Sequence, residues 1–180
     1  NIAEQHAHGA TLRALADLVA ELAGARIGYL PEANSAAGWL AGCLPQRGPN
    51  GAPAAIKGRS AAEMIAQPLK SYIVFGAEPE FDCADGRQAL KALKQAEFVV
   101  ALSVFKSTAS EYAQVILPIV PFTETDGTAI NAEGRVQSFT AAVDARGEAR
   151  PGWKVLRVLG NQLGLDGFGY TACAEIRAEI

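Results

Sequence analysis

The chain has 180 residues, of which 49% are hydrophobic and 19% charged, which fits a folded domain with one core burying roughly 70% of its unfolded surface and excludes a disordered tail or coiled coil. Its formal net charge of -3, without a long basic cluster, argues against nucleic acid as a main partner. No apolar run approaches the about 18 residues that a bilayer span needs, and no apolar signal core follows a charged start, so direct membrane insertion is not expected and the fragment is expected to be soluble.

In chain order, residues 11–22 predict an amphipathic helix. Leu12, Leu15, Val19 and Leu22 fall three or four apart and Gly24 is placed as its stop. Its apolar face is expected on a sheet. Residues 26–30, RIGYL, predict a strand ended by Pro31, then a loop over 32–35 and a short helix over 36–41. Three prolines and three glycines make 44–60 a long loop, of the kind that is functional or mobile. Ser60 with Glu63 forms a capping-box pattern ahead of a helix over 61–66 that Pro68 breaks, with Met64 and Ile65 as core contacts. SYIVF, 71–75, predicts a buried strand with a turn over 76–80. Residues 87–95 predict a helix with Leu90 and Leu93 inward.

Residues 98–102, FVVAL, are an unbroken apolar run of strand length, the signature of a strand buried on both faces of a parallel sheet. Ser107, Thr108 and Ser110 then precede one helical turn, and residues 115–118 a strand that stops at Pro118. A loop with a D-G turn at Asp126-Gly127 and a second turn over 131–135 reverses the chain twice. Residues 135–143 are expected extended. A helix over 153–163 follows, with Val155, Leu156, Leu159 and Leu163 as its buried stripe and Gly164 as its stop. A last helix over 172–178 is terminal and short. Strands alternating with helices give a single α/β domain with a mainly parallel sheet.

Across residues 98–137 the order of Tyr112, Ala113, Leu117, Pro118, Glu124, Gly127, Thr128, Asn131, Glu133, Gly134, Arg135, Val136 and Gln137 resembles a segment shared by molybdopterin-type oxidoreductases. With Glu32-Ala33-Asn34-Ser35, Ala41-Gly42-Cys43-Leu44-Pro45 and Arg150-Pro151-Gly152-Trp153-Lys154, the resemblance extends to the C-terminal region of the iron-sulfur subunit of the bacterial NADH-quinone oxidoreductase, respiratory complex I. It implies a three-layer Rossmann-like domain like the third domain of the molybdopterin family, cut from a larger subunit whose absent N-terminal part carries iron-sulfur clusters. The start at Asn1, without methionine, agrees with a fragment, and a strand before His6 is expected to be missing. The resemblance further implies a scaffold role in passing electrons from NADH toward quinone, with no chemistry of its own. The implied partners are other domains of the same subunit and other peripheral-arm subunits, at the cytoplasmic face of the inner membrane. The alternative is the cofactor-binding domain of an active molybdenum or tungsten enzyme such as a formate dehydrogenase.

In an open α/β sheet the ligand crevice lies at the carboxyl ends of the strands. Three loops are expected there: 31–35, 76–82 and the one after FVVAL. By resemblance they would embrace a guanine dinucleotide, and the vestigial cleft candidates are Asn34, Gly76, Glu78, Pro79, Thr123, Asp126, Gly127, Thr128, Asn131 and Arg135. The family's loop usually reads G.NP, and here Glu78 stands where the amide would be, with Glu80, Asp82 and Asp85 before the first cation, Arg87. Like charges about 4 Å apart repel by roughly 4 kcal/mol at an effective dielectric of 20, so carboxylates facing a pyrophosphate oppose its binding. No cofactor is therefore expected in this fragment, and no GxGxxG or GxxxxGK[ST] appears.

The remaining chemistry-bearing residues carry plain structural readings. Asp126 and Glu133 form an imaginable acid and base pair, but carboxylates beside turn glycines commonly hydrogen-bond loop backbone. His6 and His8, two apart, do not share a helical face. Ser103 lacks a G-x-S-x-G context and has no later histidine. Cys43, Cys83 and Cys173 show no metal spacing and read as reduced thiols, Cys43 as a small buried hydrophobe.

Overall fold

The computed structural model describes residues 6, 8–30, 32–106 and 108–179. Helices α1 (Gly9–Ala23), α2 (Ser35–Leu40) and α3 (Ala61–Ala66) precede a sheet of β1 (Ser71–Phe75), β2 (Phe98–Ser103) and β3 (Val115–Pro118). Helices α4 (Pro79–Asp82) and α5 (Gly86–Gln95) join β1 to β2. Beyond the sheet come a hairpin, β4 (Gly127–Ile130) and β5 (Val136–Phe139), and helices α6 (Gly152–Gln162) and α7 (Cys173–Glu179).

The three strands of the first sheet are parallel and lie in sequence order, which is the α/β architecture the alternation of strand and helix patterns predicts. Tyr72 stands opposite Val99, and Val74 opposite Ala101, which stands opposite Ile116. Residues in register project to one face, and here that face is closed by Leu93 of α5 with Ala109 and Tyr112, all buried. Val99 and Leu102 are fully buried, each contributing about 1.5–3 kcal/mol over an exposed position. Leu93 and the half-buried Leu90 are the inward pair expected of this helix.

The other face of the sheet is covered less. Phe75 packs on Gly152 at the start of α6, where a Cβ would stand 2.6 Å from its Cζ. Ile73 is 59% exposed. Among the described residues β1 is therefore an edge strand with one open face, whereas its apolar sequence predicts burial. The cause is topological: β1 pairs with β2 alone among the described strands, and cover reaches only its carboxyl end.

Residues 26–30, expected as a strand, belong to no sheet among the described residues. Gly28 weakens any strand here, and the Tyr29 hydroxyl donates to Asp17 of α1, which holds the segment to the helix instead. The apolar stripe of α1 accordingly faces Ile27 and solvent rather than the sheet: Leu15 is 55% exposed and Leu22 79%. Pro31 and Ser107 lie outside the described residues.

The 44–60 loop folds around Trp39. Arg47 stacks its guanidinium 5.2 Å from that ring and donates from Nη1 to Gly51 O at 3.1 Å, while Arg47 and Pro53 form a β-bridge. Gly51 adopts φ 66° and lies against the Trp39 ring, leaving no room for a side chain. Ser60 then opens α3 through a complete capping box with Glu63. Two further expectations differ. Leu163 is 65% exposed because α6 ends at Gln162, and Gly160, packed on Phe168, takes the buried place. Cys43 is exposed, directly after the Gly42 turn.

Candidate functional site: a recess at the carboxyl ends of β1 and β2

The two loops that leave β1 and β2 meet. Ala77, Glu78 and Glu80 from the first and Ser103, Phe105, Thr108, Ala109 and Tyr112 from the second line a recess with free space of about 10 Å³, room for about one water molecule. Gly76 starts the first loop at φ 61° and donates its N–H to Leu102 O at 2.9 Å, hooking the chain over β2.

The acidic run that follows has mixed duties. Asp82, the last residue of α4, reaches back to accept from the Glu78 N–H at 2.7 Å, and Asp85 caps the start of α5 by accepting from the Gln88 N–H at 2.9 Å. Glu80 differs. Each of its carboxylate oxygens exposes less than 1 Å² and has no hydrogen-bond partner among the described residues. The Tyr112 phenol beside it is held above its ordinary pKa, first by burial and then by the negative charge of Glu80 and Glu78. The Ser103 hydroxyl donates to Phe105 O and accepts from the Phe105 N–H. It closes a turn and is not poised as a nucleophile.

The candidates named from sequence fall into two groups. Gly76, Glu78 and Pro79 belong to the recess or its rim. Asp126, Gly127, Thr128, Asn131 and Arg135 belong to the β4–β5 hairpin or its base, and Asn34, just before α2, and Thr123, in the helical turn before the hairpin, bond to it or to the chain leaving it. Asn34 donates from Nδ2 to Thr128 O at 2.8 Å and accepts from the Ile130 N–H at 2.9 Å. Asp126 accepts from the Ala141 N–H, Thr123 O from the Ala142 N–H, and Thr128 Oγ1 lies 3.1 Å from Ser138 Oγ. Gly127 packs on Phe139. Asn131 Oδ1 accepts from the N–H groups of Glu133 and Arg135, tying the hairpin turn.

Asp126 and Glu133 lie beyond opposite ends of β4. Its four strand residues alone span about 13 Å, and Asp126 is engaged by the Ala141 N–H, so the two do not form a pair. The His6 and His8 rings lie tilted against each other with centroids 5.6 Å apart, and no group of three or more metal-ligating side chains exists among the described residues. The three cysteines are free thiols; burial, then Asp126, pushes the Cys173 thiol up.

Sequence reasoning did not single out Glu80 as buried, nor Tyr112, Phe105 and Thr108 as recess walls. Glu80 was one of four nearby carboxylates, and no local pattern marks which of them turns inward.

The sequence profile of the molybdopterin oxidoreductase family matches residues 2–162. The chain belongs to this family. Among its curated relatives, the F420-dependent formate dehydrogenase 2 subunit alpha of Methanococcus maripaludis is 34% identical over 113 residues, 62% of this chain and 17% of the relative. The F420-dependent formate dehydrogenase subunit alpha of Methanocaldococcus jannaschii is likewise 34% identical over 113 residues, with the same coverage of 62% and 17%. The assimilatory nitrate reductase catalytic subunit of Bacillus subtilis is 33% identical over 129 residues, 69% of this chain and 18% of the relative. The chain thus spans less than a fifth of the length of these relatives.

Membership in the molybdopterin oxidoreductase family implies a molybdopterin cofactor in the parent enzymes. The recess does not fit the phosphates of such a group. Among the described residues its walls contain no lysine or arginine, two of them are glutamates, and one carboxylate is already buried without a partner.

Proposed function

We propose that this chain is one domain of a large molybdopterin-family redox subunit, of the formate dehydrogenase or nitrate reductase kind. The observation that carries the reading is the convergence of the Gly76–Asp82 and Phe105–Tyr112 loops at the carboxyl edge of a parallel sheet, within a family match covering 2–162. The names of the relatives favour it over the NADH-quinone oxidoreductase reading. In this role the domain supplies shape and backbone to one wall of a guanine-dinucleotide cleft. Cations that neutralise the phosphates would come from other parts of the subunit.

A second reading has its own observation, the closed acidic recess around Glu80. On that reading the domain keeps the fold without the cofactor and serves as packing surface in the iron-sulfur subunit of a complex I type NADH-quinone oxidoreductase. Its partners would be peripheral-arm subunits at the cytoplasmic face of the membrane. No helix among the described residues is long and apolar enough to cross a membrane.

One experiment separates the two readings: molybdenum, tungsten and iron content of the intact parent subunit from its own host, with guanine nucleotide released by acid. Near-stoichiometric metal and guanine nucleotide support the first reading. Iron without either overturns it in favour of the second.

A further inference from the structure

A strand that ends a sheet against water commonly carries devices that keep other strands off it, such as lysine, proline or a bulge. β1 carries none of them. Its sequence, SYIVF, has no charge, proline or glycine, and it pairs with β2 alone among the described strands. Just past it, the Gly76 N–H donates to Leu102 O of β2. Backbone groups alternate in direction along a strand, so Tyr72 and Val74 also turn theirs to β2, and Ser71, Ile73 and Phe75 turn their N–H and C=O groups to the free edge.

One face of the sheet lacks cover beside the same edge. Ile73, Val100 and Val115 stand in one row across all three strands, and Phe98, two residues before Val100, lies on that face. Ile73, Phe98 and Val115 are exposed, whereas α6 reaches only Phe75 at the carboxyl end. Strands of a parallel sheet are ordinarily covered on both faces. β1 has the composition of an interior strand and the position of an edge.

We propose that β1 is an interior strand in the parent subunit. Its free edge pairs with a further strand from the polypeptide outside these 180 residues, and the same segment brings apolar cover for Ile73, Phe98 and Val115. The inference rests on what both functional readings share, that the chain is one domain of a larger subunit. The relatives supply the occupant's source, since this chain spans only 17% or 18% of their length. A second copy fits less well. Two copies meeting edge to edge bring five strand residues each, whereas a stable interface uses about 20–30 residues a side.

Residue-resolved hydrogen–deuterium exchange of the intact wild-type parent subunit reads the edge. The Ile73 and Phe75 amides are expected to exchange about a hundredfold or more slower than in an unstructured peptide, as the Tyr72 and Val74 amides do. Photo-cross-linking from Ser71→p-benzoylphenylalanine then identifies the occupant, expected in the same polypeptide outside these 180 residues. Fast exchange at Ile73 and Phe75 beside slow exchange at Tyr72 and Val74 overturns the proposal, and so does a cross-link into a second copy or a separate subunit. The wild-type exchange decides whether the edge is paired even where the variant does not fold. Fast exchange in a subunit that carries molybdenum and guanine nucleotide overturns the added strand and leaves the redox reading intact. A host protein no longer than this chain overturns the larger-subunit reading itself.

Discussion

Asn34 and Ile130 are joined as if Asn34 were a strand of the hairpin. The Ile130 N–H donates to Asn34 Oδ1 at 2.9 Å, and Asn34 Nδ2 reaches back to Thr128 O at 2.8 Å, so one side-chain amide reproduces the donor and acceptor pair of a β-ladder. Ile130 is buried, and removing the amide takes away the partner of its N–H. Asn34→Ala is expected to cost about 1–3 kcal/mol, read as a lower urea midpoint. Asn34→Asp keeps the acceptor but turns a carboxylate oxygen toward Thr128 O, so it is expected to rescue less than half of the loss.

The capping box of α3 gives a pH-dependent signature. The Glu63 carboxyl is held below its usual value, first by the Ser60 N–H and then by the Ser60 hydroxyl. A depressed folded pKa contributes stability above the ordinary carboxylate pKa and loses it as pH falls through the depressed value. Ser60→Ala removes the acceptor for the Glu63 N–H and is expected to cost about 1 kcal/mol near neutrality. Urea unfolding of wild type and Glu63→Gln should differ near pH 7 and converge toward about pH 3.

Tyr112 acts at the other end of the scale. Its phenol is raised by burial and by Glu80 and Glu78, so the folded form holds the proton to higher pH than the unfolded form. That contribution is complete below about pH 10, the ordinary phenol value, and is lost as pH rises through the folded pKa. Tyr112→Phe should flatten part of the alkaline fall in stability. Tyr29 and Tyr170, raised chiefly by bonds to Asp17 and Glu179, keep part of the rest, together with the Cys83 and Cys173 thiols that burial raises. Midpoints at pH 8 and pH 11 in both proteins check this.

Two glycines should respond in opposite directions. A Cβ on Gly86 would run into the carbonyl group of Glu80, and backbone does not step aside, so Gly86→Ala is expected to destabilise by about 1–3 kcal/mol. Gly38, inside α2, has nothing within 4 Å of an added Cβ. Gly38→Ala is expected to stabilise by about 0.5–1 kcal/mol. Thermal unfolding of the pair reads both signs.

The central sheet was legible because its strands are written as local patterns. FVVAL is apolar on every residue, Leu90 and Leu93 share a helical face, and Ser60 and Glu63 carry a capping pair whose two bonds are both made. What failed depended on neighbours. RIGYL has strand composition, yet its Tyr29 is claimed by Asp17, and SYIVF has the pattern of a doubly covered strand while cover reaches only Phe75. The hairpin was visible as two turns, but its tie to Asn34 crosses the chain and has no local signature. The recess was half visible. The acidity after β1 is plain in the letters, whereas which of these carboxylates is covered depends on how α4 packs on α5, as in the close approach of Gly86 to the Glu80 backbone.

The sheet order β1-β2-β3 has a kinetic side. Because spatial order repeats chain order, residues 71–118 contain every described strand of the parallel sheet together with Leu93, Val99, Ala101, Ala109 and Tyr112. The strand partners β1 and β2 lie 27 residues apart (Ser71 to Phe98), a crossover separation that parallel pairing requires and that slows closure relative to a hairpin. The Ile119–Arg150 bridge ties the chain leading into α6 to the residue after β3. Every residue of the sheet's core cluster is therefore synthesised before residue 150, ahead of the last two helices.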